Sequence, residues 1–240
     1  MLILKERKLY QNILCCILLL LSIFLSDIVL AAHYVITSTS TFKNTTFDNY
    51  SDDYGGAFYV DTTGVLIISS ATFINNKVTT AGGAIYNKGI TKITNGVSFI
   101  SNSVIAEYGV SGGAIYNDRN STMTITGKNI IFGYNTASVY GSGGAILNGG
   151  NSTITGEDIE FISNTASGGD VAIGLGGAIC NYSAMTITGK KIIFSSNTAI
   201  RGGYGGGTGG AISNYSAMTI TGDKIEFSSN TAHTHVLKSK

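Results

Sequence analysis

The 240-residue chain has no proline and no tryptophan, three cysteines, and 12 % charged residues, against about a quarter in a typical soluble domain. Without proline, and without a three-residue glycine period, it is not collagen-like. Its formal net charge of +1 is too small for the basic footprint of a nucleic-acid binder and unlike the high net charge of a disordered chain. No nucleic-acid partner is expected. A sustained 3.6-residue period is also missing after the N-terminal segment, which argues against helices. What remains is rich in Gly (32 residues) and 43 % hydrophobic, with many Ser, Thr, Asn and β-branched residues. That mixture suits strands joined by turns.

The first residues read as an export signal. Lys5, Arg7 and Lys8 precede an apolar run from Ile13 to Leu25, and Val29-Leu30-Ala31-Ala32 supplies small residues for cleavage at Ala31 and Ala32. The run is short of the ~20 residues of a membrane span, so residues 1–31 are taken as a signal peptide helix; an uncleaved anchor is the other reading. Cys15 and Cys16 lie inside the run, with no small residue just before them as a lipoprotein signal would need. Loss of this segment takes Lys plus Arg from 15 to 12 and Asp plus Glu from 14 to 12. Only Cys180 then remains, so no internal disulfide is expected.

Internal repetition fills the rest. Gly-Gly-Ala begins at Gly55, Gly82, Gly112, Gly143, Gly176 and Gly209, at intervals of 27, 30, 31, 33 and 33 residues. Phe-x-x-Asn begins at Phe73, Phe99, Phe132, Phe161, Phe194 and Phe227. Between them, x-Thr-Ile-Thr-Gly ends at Gly127, Gly156, Gly189 and Gly222. Each unit is predicted to hold three short strands: Gly-Gly-Ala-Ile-x-Asn, x-Thr-Ile-Thr-Gly and Ile-x-Phe-x-x-Asn.

Substitutions between units show which face is buried. The position before Phe accepts Ser98, Ile131, Glu160, Ile193 and Glu226, and an unpaired buried carboxylate costs several kcal/mol, so that position faces water. Two residues before Phe stand Val97, Ile130, Ile159, Ile192 and Ile225, which therefore share the buried face with Phe. Ile125, Ile154, Ile187 and Ile220 point in, their flanking threonines out. Ile85, Ile115, Ile146, Ile179 and Ile212 are constant and read as buried. The next position varies (Tyr86, Tyr116, Leu147, Cys180, Ser213) and reads as exposed.

These features predict an all-β, right-handed parallel β-helix of about seven coils over residues 32–230, rising ~34 Å, with residues 231–240 a disordered tail. Asn87, Asn117, Asn148, Asn181 and Asn214 would stack in one ladder, and Asn76, Asn102, Asn135, Asn164, Asn197 and Asn230 in another, bonding amide to amide between coils. Insertions such as Ser167–Gly174 and Ala199–Gly207 would loop off one edge.

Alternating Gly-Gly-Ala-Ile and Phe-x-x-Asn, six of each from roughly Thr41 to Asn230, resemble the chlamydial polymorphic outer membrane protein repeat. The resemblance implies a Gram-negative autotransporter passenger, exported to the cell envelope or outer membrane surface or secreted, which binds a host-cell or neighbouring-cell receptor or glycan without catalysis. That family's C-terminal membrane barrel is not in this sequence, so outer-membrane association would run through a barrel elsewhere. The first repeat departs from the pattern: Gly55-Gly-Ala-Phe58-Tyr-Val60 lacks the Asn, and Phe47 is followed by Asp48-Asn49-Tyr50, which fits a capping coil.

β-Helices also host polysaccharide lyases and hydrolases, which need clustered acids with Arg, Lys or His. Here Glu157-Asp158 and Asp223-Lys224 take the turn positions that Lys128-Asn129 and Lys190-Lys191 take elsewhere, a solvated column of alternating charge. A carbohydrate-active enzyme is the alternative function, and no catalytic residue is assigned. His33, His233 and His235 lie at the extremities without a third ligand nearby, so no metal or cofactor is expected. Gly202–Gly210 lacks the Lys of a phosphate loop and the Asp of calcium-binding repeats. The candidate binding surface is therefore Tyr86 and Tyr116, together with the pairs Thr124/Thr126, Thr153/Thr155, Thr186/Thr188 and Thr219/Thr221. Tyrosine offers amphipathic area at low entropic cost. The Thr array also resembles the face of β-helical ice-binding proteins, a more remote reading.

Overall fold

A computed structural model describes residues 33–233 except 107–108, 110, 170–171 and 201–206. The expected signal peptide and its cleavage residues Ala31 and Ala32 lie outside the described residues, as does His235. The described chain is a parallel β-solenoid. Three seven-stranded sheets run its length, and in each the neighbouring strands lie three strands apart in sequence. Every turn of the chain thus contributes one strand to each sheet. Five turns carry the complete Gly-Gly-Ala-Ile-x-Asn unit.

A mid-length turn shows how the sequence divides. Ile115–Asn117 is the first, short strand; Thr122–Gly133 is long; Thr136–Ser138 is short again. The expected second and third strands are therefore one continuous strand, which is a correction. Thr-Gly does not break it, because Gly156 pairs with Gly127 on one side and Gly189 on the other, and the ladder carries the glycine through. The true third strand follows Phe-x-x-Asn, as in Thr136–Ser138, Thr165–Ser167, Thr198–Ile200 and Thr231–His233. Its signal, Asn-Thr-Ala, recurs at Asn135, Asn164, Asn197 and Asn230. The last of these strands pairs with Thr198–Ile200, so ordered structure runs three residues into the segment expected to be a tail.

Equivalent residues stack in register. Ile125 pairs with Ile154, Ile154 with Ile187 and Ile187 with Ile220. The column from Phe73 to Phe194 is fully buried, as are Ile130, Ile159 and Ile192. Successive rings from Phe73 to Phe227 lie 4.6–4.9 Å apart and within 6° of parallel. That spacing is the ~4.8 Å between strands, so strand pairing dictates ring stacking. Each buried Phe contributes on the order of 2–3 kcal/mol.

The two ends differ. At the N-terminal end Tyr34, Phe42 and Tyr50 pack edge-on or tilted against Phe47, closing the core with rings. At the C-terminal end of the described chain Phe227 is 53 % and Ile225 41 % exposed.

Two kinds of corner shape each turn. The residue before the Asn of Phe-x-x-Asn is left-handed at every turn, from Asn75 (φ 55°) and Ser101 (φ 55°) to Ser229 (φ 54°). The first glycine of Gly-Gly-Ala is left-handed as well, as at Gly143 (φ 64°). The second is there for space: a Cβ on Gly144 would sit 2.0 Å from the carbonyl oxygen of Gly177.

Candidate binding surface

Two asparagine ladders hold the corners on which the surface stands. Asn117 Nδ2 donates to Asn148 Oδ1 at 2.9 Å, and Asn148 Nδ2 to Asn181 Oδ1 at 2.7 Å. In the second ladder each amide from Asn76 to Asn197 spans three turns. Asn135 Nδ2 donates to Phe99 O at 2.9 Å and to Asn164 Oδ1 at 2.9 Å, while its Oδ1 accepts from Asn102 N and Nδ2, both at 3.0 Å. These side chains are fully buried and paired, as buried amides must be. The exception marks an end of a ladder: Asn87 Oδ1 is buried without a donor, because Val60 stands where the preceding Asn would be.

The threonines lie where expected on the outer face of the long sheet. Thr124, Thr153, Thr186 and Thr219 are paired in register, as are Thr126, Thr155, Thr188 and Thr221. Those from Thr153 onward are exposed; Thr124 and Thr126 are half-buried.

Tyr86 and Tyr116 are not on an open surface. They are 6 % and 8 % exposed, and Leu147, Cys180 and Ser213 below them are as deeply covered. The expected exposure of this column is overturned for a tertiary reason. Segments ahead of the Gly-Gly corners fold back over the first sheet, where Ser142, Leu175 and Thr208 form parallel bridges to one another. Leu175 packs on the column and Thr208 Oγ1 lies 2.9 Å from Ser213 Oγ. Both phenols donate to one carboxylate: Tyr86 to Asp118 Oδ2 and Tyr116 to Asp118 Oδ1, each at 3.0 Å. Burial, then the charge of Asp118, pushes both phenols well above their ordinary range. Burial likewise pushes the Cys180 thiol up to about 12.

The exposed aromatic pair is Tyr182 and Tyr215, which the sequence reading missed. Each follows the Asn of the first ladder, in Asn-Tyr-Ser-Ala-Met, a pentapeptide repeated at 181 and 214. Their rings stack 4.9 Å apart at 9° and are 48 % and 55 % exposed. Beside Tyr182 opens a groove of about 570 Å³ that also reaches Arg119, Gly149 and Ser183.

The charged turn column behaves as a solvated surface. Lys190 lies 3.8 Å from Glu157, Lys191 3.5 Å from Glu160, and Lys224 3.2 Å from Glu226, each pair worth little singly. At the other end His33 Nδ1 contacts the Asp52 carboxylate. His233 ends the last strand. Among the described residues no group of three or more His, Cys, Asp or Glu is placed to hold a metal ion.

The family model for the Chlamydia polymorphic membrane protein (Chlamydia_PMP) repeat matches residues 70–88. That span runs from the Phe73 corner through the third strand and Gly82-Gly-Ala to the first strand of the next turn, one linkage of the solenoid. The resemblance of the motifs is thereby shown for this repeat. No curated protein and no solved structure matches the chain. A polymorphic membrane protein repeat on a parallel β-helix fits an autotransporter passenger.

Proposed function

From that repeat and that fold we propose that the chain is the exported, surface-displayed passenger, or part of the passenger, of a Gram-negative autotransporter. It binds a receptor or glycan on a host or neighbouring cell and does no covalent chemistry. The observation that carries this reading is the match of a surface-protein repeat to one linkage of a solenoid, with Phe73 paired to Phe99 and Tyr86 to Tyr116 of the next turn. A solenoid buries a narrow core and turns most of its side chains outward, which suits an extended binding face. Glu157 and Glu160 on the long sheet pair with lysines of the next turn instead of gathering with a base around a cleft, which favours recognition over hydrolysis.

Two measurements test it. Trypsin applied to intact producing cells is expected to remove the protein from the cell surface. Fluorescent purified protein is expected to bind cultured epithelial cells saturably and to be displaced by unlabelled protein. Release of reducing ends or unsaturated products from an acidic polysaccharide would replace this reading with the carbohydrate-active one.

A further inference from the structure

One position on the solenoid repeats by backbone geometry and not by side chain. Asp118, Gly149, Tyr182 and Tyr215 each donate their N–H to the carbonyl of the ladder residue one turn back: Asn87, Asn117, Asn148 and Asn181, at 2.7–2.9 Å. At two of these positions the residue is a tyrosine, and the two rings stack along the axis. At Gly149 the ring is missing, and the groove of about 570 Å³ lies there.

Backbone geometry does not demand glycine at 149. Its φ is not in the left-handed region, and a Cβ would find its nearest neighbour, Asn117 O, at 3.3 Å, a contact relieved by a shift of a few tenths of an ångström. Gly150 is different: a Cβ there would meet Asp118 O and Ser121 O at 2.5 Å. Gly150 is thus required by the fold, whereas Gly149 leaves a slot that the fold would allow to be filled.

The slot is two strand spacings deep, ~9.6 Å between the turn of Arg119 and the turn of Tyr182. One flat ring at van der Waals distance from Tyr182, ~3.5–4 Å, fits between them. Its apolar plate is the Tyr182 face turned away from Tyr215. Leu147 and Tyr116 form the back, and Asn120, Asn151 and Ser183 offer amide and hydroxyl groups at the rim. Arg119 stands on the far wall, and among the described residues it makes no ion pair. One aromatic plate, a rim of neutral hydrogen-bonding groups and one guanidinium match a ring with an apolar face, hydroxyl edges and a carboxylate.

We propose that this slot binds a carboxylated pyranose, a uronic or sialic acid residue, stacked on Tyr182 with its carboxylate at Arg119. The inference deepens the adhesion reading and rests on it for its biological setting; the slot itself is tested in solution, apart from export and cell binding. Purified full-length protein is titrated with methyl β-D-glucuronide, with the methyl glycoside of N-acetylneuraminic acid, with uncharged methyl β-D-glucoside and with N-acetyltyrosinamide. Saturation-transfer NMR reads the contact.

A carboxylated glycoside is expected to bind at least tenfold better than the neutral one, with a Kd on the order of millimolar for a single sugar. Gly149→Tyr, which continues the tyrosine column, and Tyr182→Ala each lower that affinity tenfold or more while circular dichroism shows the fold intact. Arg119→Gln abolishes the preference for the acid and leaves neutral binding unchanged. Unaltered binding by Gly149→Tyr, stronger binding of N-acetyltyrosinamide than of any sugar, or no binding of any glycoside overturns the slot. Failure of the cell-binding assay with the slot still occupied would instead remove the adhesion reading.

Discussion

At the scale of single residues, the corners hold the fold. Asn135 satisfies groups on the turns before and after its own, so truncation orphans the N–H of Asn102 and takes one donor from the carbonyl of Phe99 as well as removing its own bonds. Asn135→Ala is expected to cost about 2–4 kcal/mol in urea denaturation, whereas exposed Thr153→Ala stays within about 0.5 kcal/mol. Glycines divide the same way. Gly144→Ala would drive a Cβ into Gly177 O at 2.0 Å and into Thr165 backbone atoms at 2.6 Å. It is expected to cost more than about 3 kcal/mol or to prevent folding altogether. Gly133→Ala meets the flexible tip of Ile100 at 3.2 Å and Ile162 O at an ordinary 4.0 Å and is expected to be near neutral by the same denaturation. These roles were half legible. The ladders could be read from recurrence of Asn, but that the second glycine matters for space and the first for φ emerges only when turns are stacked.

At the scale of elements, the continuous strand and the strand after Asn show where local pattern reading stops. Gly is a strand breaker by propensity, yet Gly156 and Gly189 sit between parallel neighbours that keep the ladder running, whereas at Gly127 the ladder to the preceding long strand shifts register between Ile125 and Ile130. Three-residue strands such as Thr136–Ser138 are too short to show alternation, so only the repeated Asn-Thr-Ala marked them. Strand position along the axis also sets local stability. Asn151–Ile162 is paired on both edges, with its core side chains buried. Met218–Ser228 is paired on one edge among the described residues, and Phe227 lies half open. Hydrogen exchange is expected to be slowest in Asn151–Ile162 and faster by at least about tenfold in Met218–Ser228, since stability in a solenoid adds turn by turn. Equal protection in both would contradict nearest-neighbour stacking.

For the molecule as a whole, the covered outer column makes stability depend on alkaline pH. Cys180, Tyr86 and Tyr116 are neutral when protonated, and the fold raises all three above their ordinary values, first by burial. An unfolded chain therefore gives up these protons first as pH rises. Their contribution is whole up to pH ~8, begins to fall as an unfolded thiol ionises near pH ~8.5 and falls further near pH ~10 as unfolded phenols ionise. The melting temperature is expected to be flat from pH 7 to 8 and to drop above pH 9, with Cys180→Ala making the first part of the drop shallower. A drop of the same size in the variant between pH 9 and 10 would show that Cys180 takes no part.

The amino-acid sequence alone determined the period, the inward columns of Ile and Phe and the parallel stacking. Identical residues recurring about every thirty positions have one economical solution, each turn on the last. Only the tertiary structure decided the outside. Whether Tyr86, Tyr116 and Cys180 meet water depends on segments folding back from other parts of the turn, and the slot at Gly149 is a space between two turns whose walls, Arg119 and Tyr182, stand about sixty residues apart in sequence. Alternation along a strand reports which side a residue faces; it carries no information about what comes to lie on that side.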